Sequence, residues 1–329
     1  MHILVFGKDG QLGKAFKALL DVVSPTLVNK PVIQYVGRSE CDLSHPDAIR
    51  NLLTQLQPNL IINASAYTTV DKAEIEADLA YAVNAKAPEI MAEFAAKNDA
   101  SFIHFSTDYV FDGEKYGFYL EDDIRHPLGI YGKSKALGEE AVIRVFSNSA
   151  KGRYAILRTS WVYGDGSNFI RTILRLAKER EELKIIDDQY GAPTSSDWLA
   201  SVSLSLALNQ QGDLVKFPSG IYHAVPAGAV SWHGLASLAV ESALEAGAIL
   251  KAKPASIRPI RGVEYPLPAP RPMNSRMSTD KLQSILALYG GHFSSTAQSY
   301  NDSNKDPGFP HWEGMVREYV FKLASDGVI

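Results

Sequence analysis

Gly7, Gly10 and Gly13 are spaced as G-x-x-G-x-x-G between a strand-like run, Ile3–Phe6, and a helical pattern carrying Phe16, Leu19 and Leu20. Glycine lets the chain turn sharply and lets two backbones approach closely, and a helix starting inside such a turn offers free N–H groups to a phosphate. The spacing alone also suits an ordinary strand–turn–helix connection; its place straight after the first strand is what points to a dinucleotide. The same alternation continues, with Val32–Val36, Leu60–Asn63 and Phe102–Phe105 as β-branched or aromatic runs separated by helical stretches. Strands joined through helices make right-handed crossovers and a parallel sheet.

Further strands are read at Arg153–Leu157 and Leu183–Ile186, around a helical stretch from Asn168 to Glu182 whose Ile170, Ile173, Leu174 and Ala177 share one face. A sheet of six or seven strands is expected. Beyond about Asp188 the alternation fades. Six prolines between Pro254 and Pro272, with Arg258, Arg261 and Arg271, predict an ordered but irregular loop, and the Ser-, Asn-, Gly- and Asp-rich stretch Gly290–Pro310 reads as a surface insertion before a last helix, Trp312–Leu323. With 329 residues the chain exceeds one minimal domain. The expected fold class is α/β: a Rossmann-type, doubly wound parallel sheet over 1–160, completed by 195–225, with a smaller C-terminal substrate-binding α/β domain from 161–194 and 226–329.

Charge and cysteine content narrow the function. A net charge of −4 provides no long-range positive field to gather nucleic acid or an acidic membrane, so an anionic ligand must be held by local groups. The single cysteine, Cys41, cannot form an intrachain disulfide, no run of eighteen apolar residues appears, and Ile3–Phe6 is too short for a signal-peptide core. The expectation is a cytoplasmic protein.

Candidate chemistry gathers at strand ends. Gly37-Arg38-Ser39 follows the second strand, where NAD-preferring proteins usually carry an acidic residue; Arg38 suits a 2′-phosphate, or is a solvated surface arginine. Asp42 and Leu43 follow, placed to contact adenine, although Asp42 is equally a candidate helix N-cap. Tyr131 and Lys135 stand four apart at the head of a helical pattern, hence on one face. A phenol near pKa 10 is a poor acid–base group at neutral pH, and a nearby ammonium that favours the phenolate supplies what the chemistry needs. Ser106-Thr107-Asp108-Tyr109-Val110-Phe111 ends the fourth strand, where open α/β sheets bind ligands, and there Thr107 can hydrogen-bond a carbonyl.

With these residues the chain resembles the extended short-chain dehydrogenases/reductases and, within them, the dTDP-4-dehydrorhamnose reductase family. The likeness runs through nearly the whole chain. Its more specific carriers are Gly7-Lys8-Asp9-Gly10-Gln11-Leu12-Gly13, Asn63-Ala64-Ser65-Ala66-Tyr67-Thr68, Val70-Asp71-Lys72-Ala73-Glu74, the Ser106–Phe111 run, Arg158–Gly164, Asp188–Thr194 and Arg271-Pro272. The resemblance implies hydride transfer from NADPH, or NADH, to C4 of dTDP-4-dehydro-β-L-rhamnose, with Tyr131 protonating the alkoxide and Lys135 tuning Tyr131 and holding the ribose. It also implies that Gly7, Gly10, Gln11, Leu12, Gly13, Arg38, Asp42, Leu43 and the third-strand loop Ala64, Ser65, Ala66 and Tyr67 hold the cofactor. On the substrate it implies Thr107, Asp108 and Trp161, with Arg271 gripping the diphosphate in a fork. A core indole and a solvated loop arginine are the plainer readings of the last two.

Some relatives hold magnesium between subunits through a carboxylate early in the first helix; here Lys14-Ala15 stands there, so no metal ligand is assigned. A homodimer is left open. Rival readings are a reductase or epimerase for another nucleotide sugar, and a non-catalytic NADP-binding subunit like the regulatory subunit of methionine adenosyltransferase.

Overall fold

The computed structural model describes residues 1–290 and 308–329. Most of the Gly290–Pro310 stretch read as an insertion, 291–307, lies outside the described residues. A six-stranded sheet forms from β1 (His2–Phe6), β2 (Val32–Val36), β3 (Leu60–Asn63), β4 (Ser101–Thr107), β5 (Arg153–Thr159) and, beyond a separate strand β6 (Leu183–Ile186), β7 (Gly220–His223). Its order is β7-β5-β4-β3-β1-β2, and every pairing is parallel. The chain leaves β1 on one side to reach β2 and returns on the other to β3, which opens a crevice at the carboxyl ends of β1 and β3.

Alternation along the strands builds two cores. Ile3 and Val5 point to one face, with Phe16 and Leu20 of α1 (Gln11–Val23) and Leu199 and Leu204 of α8 (Ser196–Ala207). Leu4 and Phe6 point to the other, with Ile49 and Leu53 of α2 (Pro46–Leu56), Ile90 and Met91 of α5 (Ala87–Lys97) and Val142 of α6 (Ile130–Ser147). A period of two in the strands thus feeds a helical layer on each side, and the shorter helices α3 (Val70–Ala73), α4 (Ala77–Tyr81) and α10 (Asp280–Tyr289) join them.

A third core lies beyond the sheet. Ile170, Ile173, Leu174 and Ala177 of α7 (Phe169–Glu179), the face expected from the sequence, pack with Leu235 and Val240 of α9 (Trp232–Glu245) and with Val316 and Val320 of α11 (Trp312–Ser325). Side chains of Asn168, Ser195 and Ser231 cap α7, α8 and α9 by accepting backbone N–H bonds. Two sequence expectations differ in detail. Strand β6 does not join the large sheet but pairs with β8 (Ile257–Ile260), so the proline-rich segment contains a strand. In a two-stranded ribbon both strands are edges, and Pro259 can occupy one without breaking a ladder. Leu282 and Met315, late in the chain, bury in the core beside the large sheet.

Helix α6 is held to the sheet by buried charge. Glu139 accepts from Arg158 Nε at 2.8 Å and Nη2 at 2.7 Å, and from Arg125 at 3.3 Å, with Glu139 and Arg158 essentially sealed from solvent. Arg158 also donates to the carbonyl of Glu121 at 3.2 Å. Removing one member of such a pair strands the other in low dielectric. Glu139→Ala is therefore expected to cost about 3–5 kcal/mol of stability in urea unfolding, and a loss under about 1 kcal/mol would contradict the clamp.

Candidate active site

The glycine turn is shaped by contact as well as by torsion. Gly7 has φ of +87°, a left-handed value that suits glycine, and a Cβ on it would lie 2.8 Å from the backbone of Ala64. A Cβ on Gly13 would sit 1.9 Å from the Gly7 carbonyl oxygen, so α1 can begin this close to β1 only with glycine there. The first N–H groups of α1, from Gln11 onward, open toward a cleft of about 540 Å³. That cleft is lined by Gly7, Gly10, Gln11 and Leu12, by Arg38, Asp42 and Leu43, by Ala64 through Tyr67, and by Tyr131 and Lys135. Gly13 lies behind the turn.

At one end of the cleft Arg38 is three-quarters exposed and its Nε donates to Asp42 at 3.2 Å. Asp42 also accepts the N–H and hydroxyl of Ser44, at 2.9 and 2.8 Å, which hold its carboxyl below the usual range. It thus caps a local turn, whereas the N-cap of α2 is His45. Gln11 fastens α1 across the fold to Val162 and Asn168.

The other end is the meeting of β4 with α6. Approach is close: a Cβ on Gly132 would fall 2.2 Å from the carbonyl oxygen of Tyr109. Tyr131 is partly buried there, its ring edge-on to Tyr109 at 5.5 Å, and the Thr107 hydroxyl lies near enough to its own to act on its pKa. Burial pushes its pKa up to about 12, so the phenol keeps its proton. Lys135 Nζ donates to the carbonyl of Phe105 at 2.5 Å, and burial lowers its pKa to about 8 against the pull of Glu139. Thr107 also donates to Asp108 Oδ1 at 2.9 Å and accepts the N–H of Tyr109 at 3.2 Å. Asp108 is buried, which raises its pKa to about 6 against the hydroxyls of Ser275 and Thr107.

Trp161 and Arg271 lie outside the cleft's lining. Trp161 has φ of +49° and stacks on Trp232 at 3.5 Å. Arg271 forks onto Asp71, at 2.6 and 2.9 Å, tying the proline-rich loop to the helical turn after β3. Three contributors escaped the sequence reading. Asn84, in a π-helical turn at Ala82–Lys86, accepts the N–H of Tyr67 at 2.8 Å and donates to its carbonyl at 3.0 Å and to Ser134 Oγ of α6 at 3.0 Å. A polar residue inside the alanine-rich run 80–87 was the available signal, because asparagine disfavours helix interiors. Ser275 carried no such signal, since it reaches the site only through tertiary packing, whereas His104 is a polar residue inside the apolar run Phe102–Phe105 that leads to Thr107. Among the described residues no cluster of His, Cys, Asp or Glu is arranged to hold a metal ion.

The raised pKa of Asp108 has a thermodynamic sign. A carboxyl that binds its proton more tightly folded than unfolded makes stability fall as pH rises from about 4 to about 6. Asp108→Asn is expected to stabilise the fold at pH 7.5 by about 2–3 kcal/mol, and to do little at pH 4. Chemical denaturation at both pH values checks this, and equal or lower stability of the variant at pH 7.5 would contradict it.

Comparison with known proteins agrees with this geometry. The family model described as RmlD substrate binding domain matches residues 1–304. A dTDP-4-dehydrorhamnose reductase of Escherichia coli K12 is 40% identical over 293 residues, covering 88% of this chain and 93% of the relative. One from Sinorhizobium fredii is 35% identical over 330 residues and covers 99% of both. A crystal structure of the Bacillus anthracis dTDP-4-dehydrorhamnose reductase in complex with NADP superposes with a TM-score of 0.78, at 29% identity, over 98% of this chain and 99% of that one. On a Rossmann-type sheet with a glycine turn at one end of its crevice and Tyr131 and Lys135 at the other, the chain belongs to the dTDP-4-dehydrorhamnose reductase family.

Proposed function

We propose that this protein reduces the 4-keto group of dTDP-4-dehydro-β-L-rhamnose with NADPH, giving dTDP-β-L-rhamnose. The observation that carries the proposal is the half-buried, protonated Tyr131 phenol, beside the Thr107 hydroxyl and lining the same cleft as the glycine turn. The cleft suits a dinucleotide. Substituents on Gly7 and Gly13 would collide with backbone, so the turn stays bare of side chains, and the N-terminus of α1 faces the space where a pyrophosphate would rest. Gly10, Gln11 and Leu12 would hold that pyrophosphate, Arg38 a 2′-phosphate, Asp42 and Leu43 the adenine side, Ala64–Tyr67 the middle, and Lys135 the nicotinamide ribose. When bound, reduced nicotinamide supplies hydride to the sugar's carbonyl carbon.

The protein's own groups do the rest. Thr107 orients the carbonyl oxygen by hydrogen bonding, and Tyr131 donates its proton to that oxygen as negative charge develops there. A phenol held near pKa 12 is charged with a proton at neutral pH and gives it up only to a stronger base such as an alkoxide. Asp108, beside Thr107, receives sugar hydroxyls. Among the described residues, those of the segments 161–194 and 226–329 that lie outside the core beside the large sheet form the substrate side, with Trp161 against the sugar nucleotide. Arg271 takes the diphosphate by exchanging the carboxylate of Asp71 for it.

Tyr131→Phe is expected to lower kcat by roughly 10²–10⁴-fold in an assay of NADPH consumption with the 4-keto sugar nucleotide, while NADPH still binds. A variant as active as its parent would refute the proton-donor role. Arg38→Ala is expected to raise KM for NADPH by roughly 10-fold and to leave KM for NADH nearly unchanged; equal effects on both cofactors would remove the 2′-phosphate contact.

A further inference from the structure

Asn63 ends β3 and His104 lies opposite it on β4, directly paired in register, with both side chains fully buried. Their hydrogen bonds determine where the imidazole proton sits. Asn63 Oδ1 accepts the backbone N–H of Ser65 at 3.2 Å, which fixes the orientation of the amide. Its Nδ2 therefore faces His104 Nδ1, 3.2 Å away, and an amide nitrogen only donates. Nδ1 must accept, so the neutral ring carries its proton on Nε2. That nitrogen lies 3.5 Å from Lys135 Nζ. An Nε2–H and an ammonium are both donors, and the contact is longer than the 2.5 Å bond from the same lysine to Phe105 O. A neutral amine, by contrast, could accept from Nε2–H while still donating to Phe105.

We propose that Asn63 and His104 are positioning residues: they lock the imidazole with its proton on Nε2, facing Lys135, so that the lysine gives up its proton more readily than its burial and Glu139 alone would allow. The pair acts on the reaction only through Lys135, and its kinetic consequence rests on the reductase reading above. Other groups facing the lysine are few. Tyr131 and Glu139 come from its own helix, and Arg158 from β5 acts behind Glu139, with which it is paired. Of these, the charge that acts on Lys135 is Glu139, which favours the ammonium. His104 is itself kept neutral by burial and by the lysine's charge. Lys135 is thereby poised to exchange a proton with the cleft that it lines.

The tautomer and the titration are both measurable on the full-length protein without substrate. Nitrogen-15 spectra of histidine-labelled protein, assigned with His104→Gln, should show His104 protonated on Nε2 and bare on Nδ1; a proton on Nδ1 would overturn the inference. Asn63→Leu removes the donor without adding charge, freeing Nε2 to accept from the ammonium. The Lys135 side-chain resonance, assigned with Lys135→Gln, should then titrate about one pH unit higher, and an unmoved or lowered midpoint in the folded variant would also overturn it. If Asn63→Leu does not fold, the parent's histidine spectrum decides. Neither measurement uses the sugar, so an inactive protein with the proposed tautomer would sink the reductase reading and leave this inference standing.

Discussion

The close seat of α6 on the end of β4 is the constraint on which the site depends. Gly132 lets the helix reach the Tyr109 carbonyl, and the sealed Glu139–Arg158 pair holds it one turn beyond Lys135. Only with the helix at that depth does Lys135 become buried and Tyr131 partly so, and desolvation is the main reason their proton affinities depart from solution values, upward for the phenol and downward for the ammonium. The ion pair is a costly way to hold a helix, since well-packed apolar residues often serve stability as well. Its charge also reaches Lys135, which an apolar pair could not do.

Much of this architecture was legible in the sequence because period-two runs and the glycine turn are local signals. Strands β2 and β3 begin and end where the runs Val32–Val36 and Leu60–Asn63 do, and the apolar face of α7 is the one its spacing marks. Membership of strands in sheets was less legible. Leu183–Ile186 has the composition of a sheet strand, yet it pairs with Ile257–Ile260, a proline-bearing segment that reads as loop, because partner choice is decided by long-range packing that no short window contains.

Within the site, residues next to a local motif were recoverable and those that meet across elements were not. Arg271 could be singled out as a guanidinium in a proline-rich loop, but that Asp71, two hundred positions earlier, occupies its fork is a tertiary fact. Asn84 and Ser275 are of the same kind, and so is the meeting of His104 with Asn63 across two strands. The free protein's electrostatics also differ from the simple expectation that an ammonium tunes a phenol directly: the short bond of Lys135 goes to the Phe105 carbonyl, and the side chain that favours the Tyr131 phenolate is Thr107.

The central claim, that this crevice passes hydride from a nicotinamide to a sugar carbonyl carbon, is tested most directly by isotope transfer. Protein supplied with NADPH deuterated at C4 of the nicotinamide, on the transferring face, and with the 4-keto sugar nucleotide should yield product carrying one deuterium at C4 of the sugar. Product without deuterium, or with it at another carbon, would contradict the account.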